Sequence, residues 1–166
     1  MKSNQTGSSE NSVLVANLAD LLNKGNAHVS LDDSLEDIPF EHLGKKPHGL
    51  PYSLWQVAEH IRIAQSDILE FSRDASYQSP EWPEGYWPKE TKPGSEEEWK
   101  KCLDLIKKDR KEFINLLQNS SENLFTVFAH GDGQTLLREA LVLADHNSYH
   151  TGEIIVLRRL LDNWPK

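Results

Sequence analysis

Cysteine occurs once in this chain, at Cys102. A single thiol excludes a disulfide framework and any metal site built from several cysteines. Cys102 falls in "KKCLDLIKKD", beside the apolar positions of a helical pattern, and reads as a buried, unreactive thiol. Long apolar runs are missing too. No stretch approaches the roughly 18 residues of a membrane-spanning helix, and "MKSNQTGSSENS" at the start lacks the apolar stretch of a secretory signal. The expectation is a soluble, cytoplasmic protein. Basic residues are in deficit, 18 Lys+Arg against 26 Asp+Glu for a net charge of -8. A nucleic-acid backbone or an anionic membrane surface would need a basic face, so neither is an expected partner. Strand-like alternation is absent as well.

What is present is a globular composition, 37% hydrophobic and 27% charged over 166 residues, enough for one domain with a real core. Residues 1–11 are rich in Ser, Asn and Gln and are expected to form a disordered tail. Residues 12–166 are expected to form a single domain.

Four amphipathic helices can be read within it. The first runs from about Ser12 to Ala27, with Leu14, Leu18 and Leu21 at helical spacing. The second covers roughly Ser53 to Ser72. Pro51 lies just outside its start, Ser53 is an N-cap, and Leu54, Val57, Ile61, Ile68 and Phe71 share one face. The third spans about Ser95 to Asn119, opened by "SEEE", which caps the helix and sets acids on the positive end of its dipole. Its stripe is Trp99, Leu103, Ile106, Phe113 and Leu117, with Arg110 the polar member. The fourth follows "HGDG", with Asp132 as its expected cap, and runs to about Leu161 before "NWPK" ends it.

Four such helices and no strand predict an all-α fold, a four-helix bundle. Antiparallel neighbours need only ~2–8 connecting residues. The second link, "DASYQSPEWPEGYWPKETKPG", has about twenty, stiffened by proline at ~3 Å per residue. It can cross the length of the bundle, which suits second and third helices that run parallel.

The fourth helix carries an anomaly. Leu136, Leu143, His150 and Leu157 repeat every seven residues, and three positions later come Glu139, His146, Glu153 and Leu160. A core-facing seam should be apolar in both rows. Each uncompensated buried polar group costs roughly 1–3 kcal/mol, so something must satisfy these. A metal ion, a water-filled cavity and a hydrogen-bond network would each serve. His146 and His150 lie one turn apart on one face. This is not the zincin "HExxH", because Asn147 follows His146. In the second helix His60 flanks the apolar stripe of "SLWQVAEHIRIAQSDILEF". Three imidazoles from two helices can hold a first-row divalent ion and leave positions open for water or substrate.

The segments "LWQVAEHIRIA" and "ADHNSYHTGEIIVLRRLL" resemble the DinB-like superfamily of metal-dependent four-helix-bundle proteins, over about Val13 to Trp164. The resemblance implies up-down-down-up wiring with a long crossover between the second and third helices. It implies a divalent metal, nickel or zinc, on His60, His146 and His150. It also implies thiol S-transferase or isomerase chemistry with a low-molecular-weight thiol and an electrophilic substrate, and a possible homodimer. The first expectation is therefore a metal-dependent transferase or a related hydrolase. The alternatives are a metal or small-ligand binding protein without catalysis, and a purely structural bundle.

Other residues have two readings. Glu153 could orient a ligand histidine or act as general base, or it could pair with an arginine such as Arg110. His130, in "FAHGDGQTLLRE", could flank a site entrance where the helix start takes an anion. The plainer reading is a turn. Tyr149 is expected to pack away from the histidine face, and Trp82, Tyr86 and Trp87 to form a rigid strap along the bundle rather than a pocket wall. His28, His42 and His48 are read as loop residues without a role.

Overall fold

The computed structural model describes residues 4–164. Five α-helices carry the fold: α1 Asn4–Lys24, α2 Leu31–Leu35, α3 Leu54–Arg73, α4 Glu96–Asn119 and α5 Leu136–Leu160. Among the described residues there is no strand, only an isolated bridge between Val127 and Thr135. The fold is all-α, as expected. Of the expected N-terminal tail, residues 1–3 lie outside the described residues, and residues 4–11 continue α1. That helix stops at Lys24 rather than Ala27, because Gly25 and Asn26 both take positive φ.

Local chemistry sets most boundaries. Ser53 Oγ accepts from the Gln56 amide and the Gln56 side chain accepts from the Ser53 amide, a full capping box at the start of α3. Ser95 caps α4 through the Glu98 amide. The cap of α5 is Thr135, whose Oγ1 accepts from the Arg138 amide at 3.1 Å, and not Asp132. Gly133 sits at φ 100°, outside helical space, and the Phe128 amide donates to the Gln134 carbonyl. The chain therefore folds back before it can begin a helix. The short α2, capped by Ser30, was not anticipated, since five residues are too few to show a period.

Two apolar clusters fill the interior. One gathers Leu31, Leu35, Leu54, Ile61, Ile106, Ile154 and Leu157. The other gathers Val15, Leu18, Leu69, Phe113, Leu117, Leu136 and Leu143. Between them each long core helix turns polar: Gln65 on α3, Asp109 and Arg110 on α4, and Asn147, His150 and Thr151 on α5, all buried. The layer is largely self-satisfied. Gln65 Nε2 donates to the Ile106 carbonyl at 2.6 Å, Asn147 donates to Gln65, and Thr151 donates to the Asn147 carbonyl.

Contacts between α3 and α4 advance together along both helices: Trp55 meets Trp99, Gln65 meets Ile106, and Arg73 meets Glu112. Between α3 and α5 the order is reversed, with Val57 and Leu157 lining one groove, His60 meeting His146, and Ile68 and Glu139 lining one cleft. At the level of the polar layer, His60 of α3 thus faces the paired histidines of α5.

Candidate metal centre

His60, His146 and His150 each place a ring nitrogen within 4.8 Å of the others. His60 Nε2 and His146 Nε2 are 3.0 Å apart. The outer nitrogens decide what the inner ones can do. His60 Nδ1–H donates to the Tyr86 carbonyl at 2.8 Å. A carbonyl only accepts, so the proton belongs on Nδ1 and the lone pair on Nε2. His150 Nδ1–H likewise donates to Glu153 Oε2 at 2.7 Å, leaving its Nε2 bare. His146 has no such brace; its buried Nδ1 has no hydrogen-bond partner among the described residues.

The surroundings keep these rings neutral. Burial, reinforced by the neighbouring imidazoles, pushes His146 down to about 4. Burial and then His60 push His150 down to about 4. Burial lowers His60 as well, partly offset by the Tyr86 carbonyl and by Glu153. Neutral imidazoles are the state a cation requires of its ligands, and His60 and His150 already turn an Nε2 lone pair inward. His146 Nε2 donates to His60 at 3.0 Å and would have to move its proton to Nδ1 to bind. An all-imidazole donor set suits first-row metals such as zinc or nickel. The residues fit a metal. Glu153, whose carboxyl is raised by burial, supplies the carboxylate–histidine pairing common behind such ligands.

The cluster opens onto a cleft of about 710 Å³ whose wall includes Asp67, Trp82, Tyr86, Trp87, Asp145 and Tyr149. Part of that wall, Trp82, Tyr86 and Trp87, is the crossover segment expected to be only a strap. Instead, Trp87 lies flat on His60 at 3.9 Å with 2° between planes, and Tyr86 binds His60 by its carbonyl and Asp67 by its hydroxyl. Tyr149 also departs from expectation. It is 65% exposed, meets His150 edge-on, and borders both this cleft and an apolar groove of about 470 Å³ that Glu153 also lines.

The remaining candidates fall elsewhere. His130 Nε2 contacts the Phe71 carbonyl, and its ring stacks on Phe128. Phe71 lies eleven residues beyond His60 on α3, about 16 Å along the axis, so His130 is not brought to the cluster. Arg110 pairs with Asp32 at 2.6 Å rather than with Glu153. Glu139 is buried and meets Arg138 at 2.7 Å on the cleft wall. Cys102 is buried, and burial beside Glu59 pushes its thiol far up, so it is no nucleophile. Neither His28, bonded to Ser148, nor His42 nor His48 joins the cluster.

A model of the DinB superfamily matches residues 27–154. The chain belongs to the DinB superfamily. The matched DinB span takes in all three histidines, Glu153 and the crossover segment. No curated protein and no solved structure gives a significant match. Superfamily membership and a three-histidine cluster that could hold a metal ion, beside a ligand-sized cleft, fit a metal-binding family. What sequence reasoning missed is the part played by Tyr86, Trp87 and Asp67, for which the only signal was the aromatic density of "EWPEGYWP".

Proposed function

We propose that this DinB-superfamily chain is a metal-dependent enzyme that transfers a low-molecular-weight thiol to an electrophile. Its divalent ion, nickel or zinc, would be held by His60, His146 and His150. The observation that carries the reading is the pair of inward-turned Nε2 lone pairs, on His60 and His150, close to His146 where the polar layer meets the cleft. A bound divalent ion supplies Lewis acidity, which lowers the pKa of a thiol toward neutrality.

The chain's own residues do the rest. The Tyr86 carbonyl and Glu153 keep protons on the outer nitrogens of His60 and His150. Glu153, with its carboxyl raised by burial, is placed to take the proton that the thiol releases. The aromatic cleft and the apolar groove on either side of Tyr149 offer separate room for two reactants. In this reading the bundle is a four-helix, up-down-down-up arrangement, supported by the ordered contacts of α3 with α4 and their reversal with α5.

The test is elemental analysis of purified, untagged protein beside His150→Ala, followed by turnover assays with a panel of thiols, electrophiles and labile esters or amides. Stoichiometric metal lost in the variant, with thiol-dependent turnover of the metal-replete protein, is the expected result. Turnover of esters or amides without thiol would replace thiol transfer by hydrolysis. No metal-dependent turnover across the panel would overturn the enzymatic reading.

A further inference from the structure

His60 differs from the other two ligand candidates in what surrounds it. His146 and His150 sit one turn apart on α5, so their mutual position follows from helix geometry. His60 comes from another helix, and its ring must be turned to face them by something else. Four contacts converge on that task. The Tyr86 carbonyl takes its Nδ1 proton. Trp87 covers one face of the ring at 3.9 Å, and Tyr52 backs Trp87 at 3.9 Å with 12° between planes. His146, tilted by 57°, and His150, edge-on, meet His60 from elsewhere, at centroid distances of 4.9 and 4.7 Å.

The segment that supplies Tyr86 and Trp87 is itself stapled to α3. Ser53 Oγ donates to the Thr91 carbonyl, Gln56 Nε2 donates to the Pro88 carbonyl, and the Tyr86 hydroxyl donates to Asp67 Oδ2. The anchors at positions 53, 56 and 67 bracket His60 on the same side of the helix. One helix therefore carries both the ligand and the fastenings of the strap that orients it. Burial alone does not account for the arrangement, because the strap leaves Trp82 71% exposed while committing Trp87 to a coplanar stack.

We infer that Trp87, with the Tyr86 carbonyl, is a positioning residue: it locks the His60 ring so that Nε2 points at His146 and His150. The inference rests on the proposed metal site, and it is distinct from it. Trp87 acts through His60 and contacts no metal. Removing the indole frees the ring to rotate and to exchange tautomers, and the pre-organisation of the ligand set is lost.

The experiment compares wild type, Trp87→Ala and Trp87→Phe by three measurements. Long-range proton–nitrogen spectra of the metal-free protein report the His60 tautomer. Zinc affinity comes from competition with a chromophoric chelator, and the thermal midpoint reports the fold. The expected result for wild type is one Nδ1–H tautomer at His60. In Trp87→Ala the expected result is an averaged ring signal and zinc binding weakened 10- to 100-fold, the usual effect of losing an outer partner of a ligand histidine. Trp87→Phe, which keeps a flat ring for stacking, is expected to restore the single tautomer and to bind zinc within a few-fold of wild type. Wild-type tautomer and zinc affinity in Trp87→Ala would overturn the inference. So would Trp87→Phe as weak as Trp87→Ala. If wild type itself binds no zinc, the proposed function fails, while the tautomer spectra of metal-free protein still decide the role of Trp87.

Discussion

Replacing Glu153 by Gln tests the centre at its outer edge. Glu153 Oε2 accepts the Nδ1 proton of His150 at 2.7 Å, from a side chain 35% exposed onto a ring 7% exposed. Gln keeps an accepting oxygen in nearly the same place and removes only the charge. Ala removes the acceptor and leaves a buried N–H unpaired. Loss of an outer partner lowers metal affinity by roughly 10- to 100-fold, or about 1.4–2.7 kcal/mol. Gln is expected near the lower end and Ala near the upper. Fold stability should respond much less. A hydrogen bond to a charged group is worth roughly 1.5–3 kcal/mol, and exposure of the carboxylate reduces that to about 1 kcal/mol. In a chain of this length that is a shift of about 2–4 °C in Tm. The assay is zinc competition against a chelator, with calorimetry of metal-free protein as the control. Gln binding zinc as tightly as wild type, or Ala binding it no more weakly than Gln, would refute the reasoning.

Three further outcomes follow from the same geometry. Arg110 is buried and its ion-pair partner is Asp32, whose side chain is 36% exposed; Asp32→Ala strands the guanidinium and should cost about 2 kcal/mol, more than Arg110→Met. Urea unfolding of the two variants decides this, and an Asp32→Ala cost no larger than that of Arg110→Met would contradict it. Because His146 and His150 are pushed to about 4 from an ordinary 6.5, the unfolded chain binds protons that the folded chain refuses. Metal-free protein should therefore lose stability as pH falls from about 6.5 toward 4, with a smaller slope in His150→Gln; equal slopes would count against the buried neutral imidazoles. Finally, among the described residues Asp67 and Asp145 on the cleft wall form no ion pair like the one Arg138 gives Glu139. An aminothiol should bind the cobalt-loaded protein about fivefold more tightly than a carboxylated thiol, for ~1 kcal/mol of charge preference. Equal or reversed midpoints in the cobalt absorption titration would argue against that cleft charge.

Much of this is legible in the sequence. Helix type, the caps at Ser53 and Ser95, and the polar seam on α5 depend on residues within one or two turns of each other. A linear pattern therefore contains them. The meeting of His60 with His146 and His150 is expected from the place of His60 beside its apolar stripe and from the resemblance of both segments to one superfamily, not from spacing along either helix alone. The cap of α5 was misread since Gly133 and a backbone bridge, not a side-chain preference, end the preceding turn.

By itself, then, the sequence determined an all-helical chain, its apolar faces and the three imidazoles available to a cation. Only the tertiary structure decided that the brace on His60 is the backbone oxygen of Tyr86, that Trp87 lies flat across that ring, and that Arg110 belongs to Asp32 while Glu153 belongs to His150. The physical reason is that a carbonyl oxygen is the same at every residue and leaves no trace in composition. Which charge meets which across a bundle is set by how the helices turn toward each other, and no spacing along one helix encodes that.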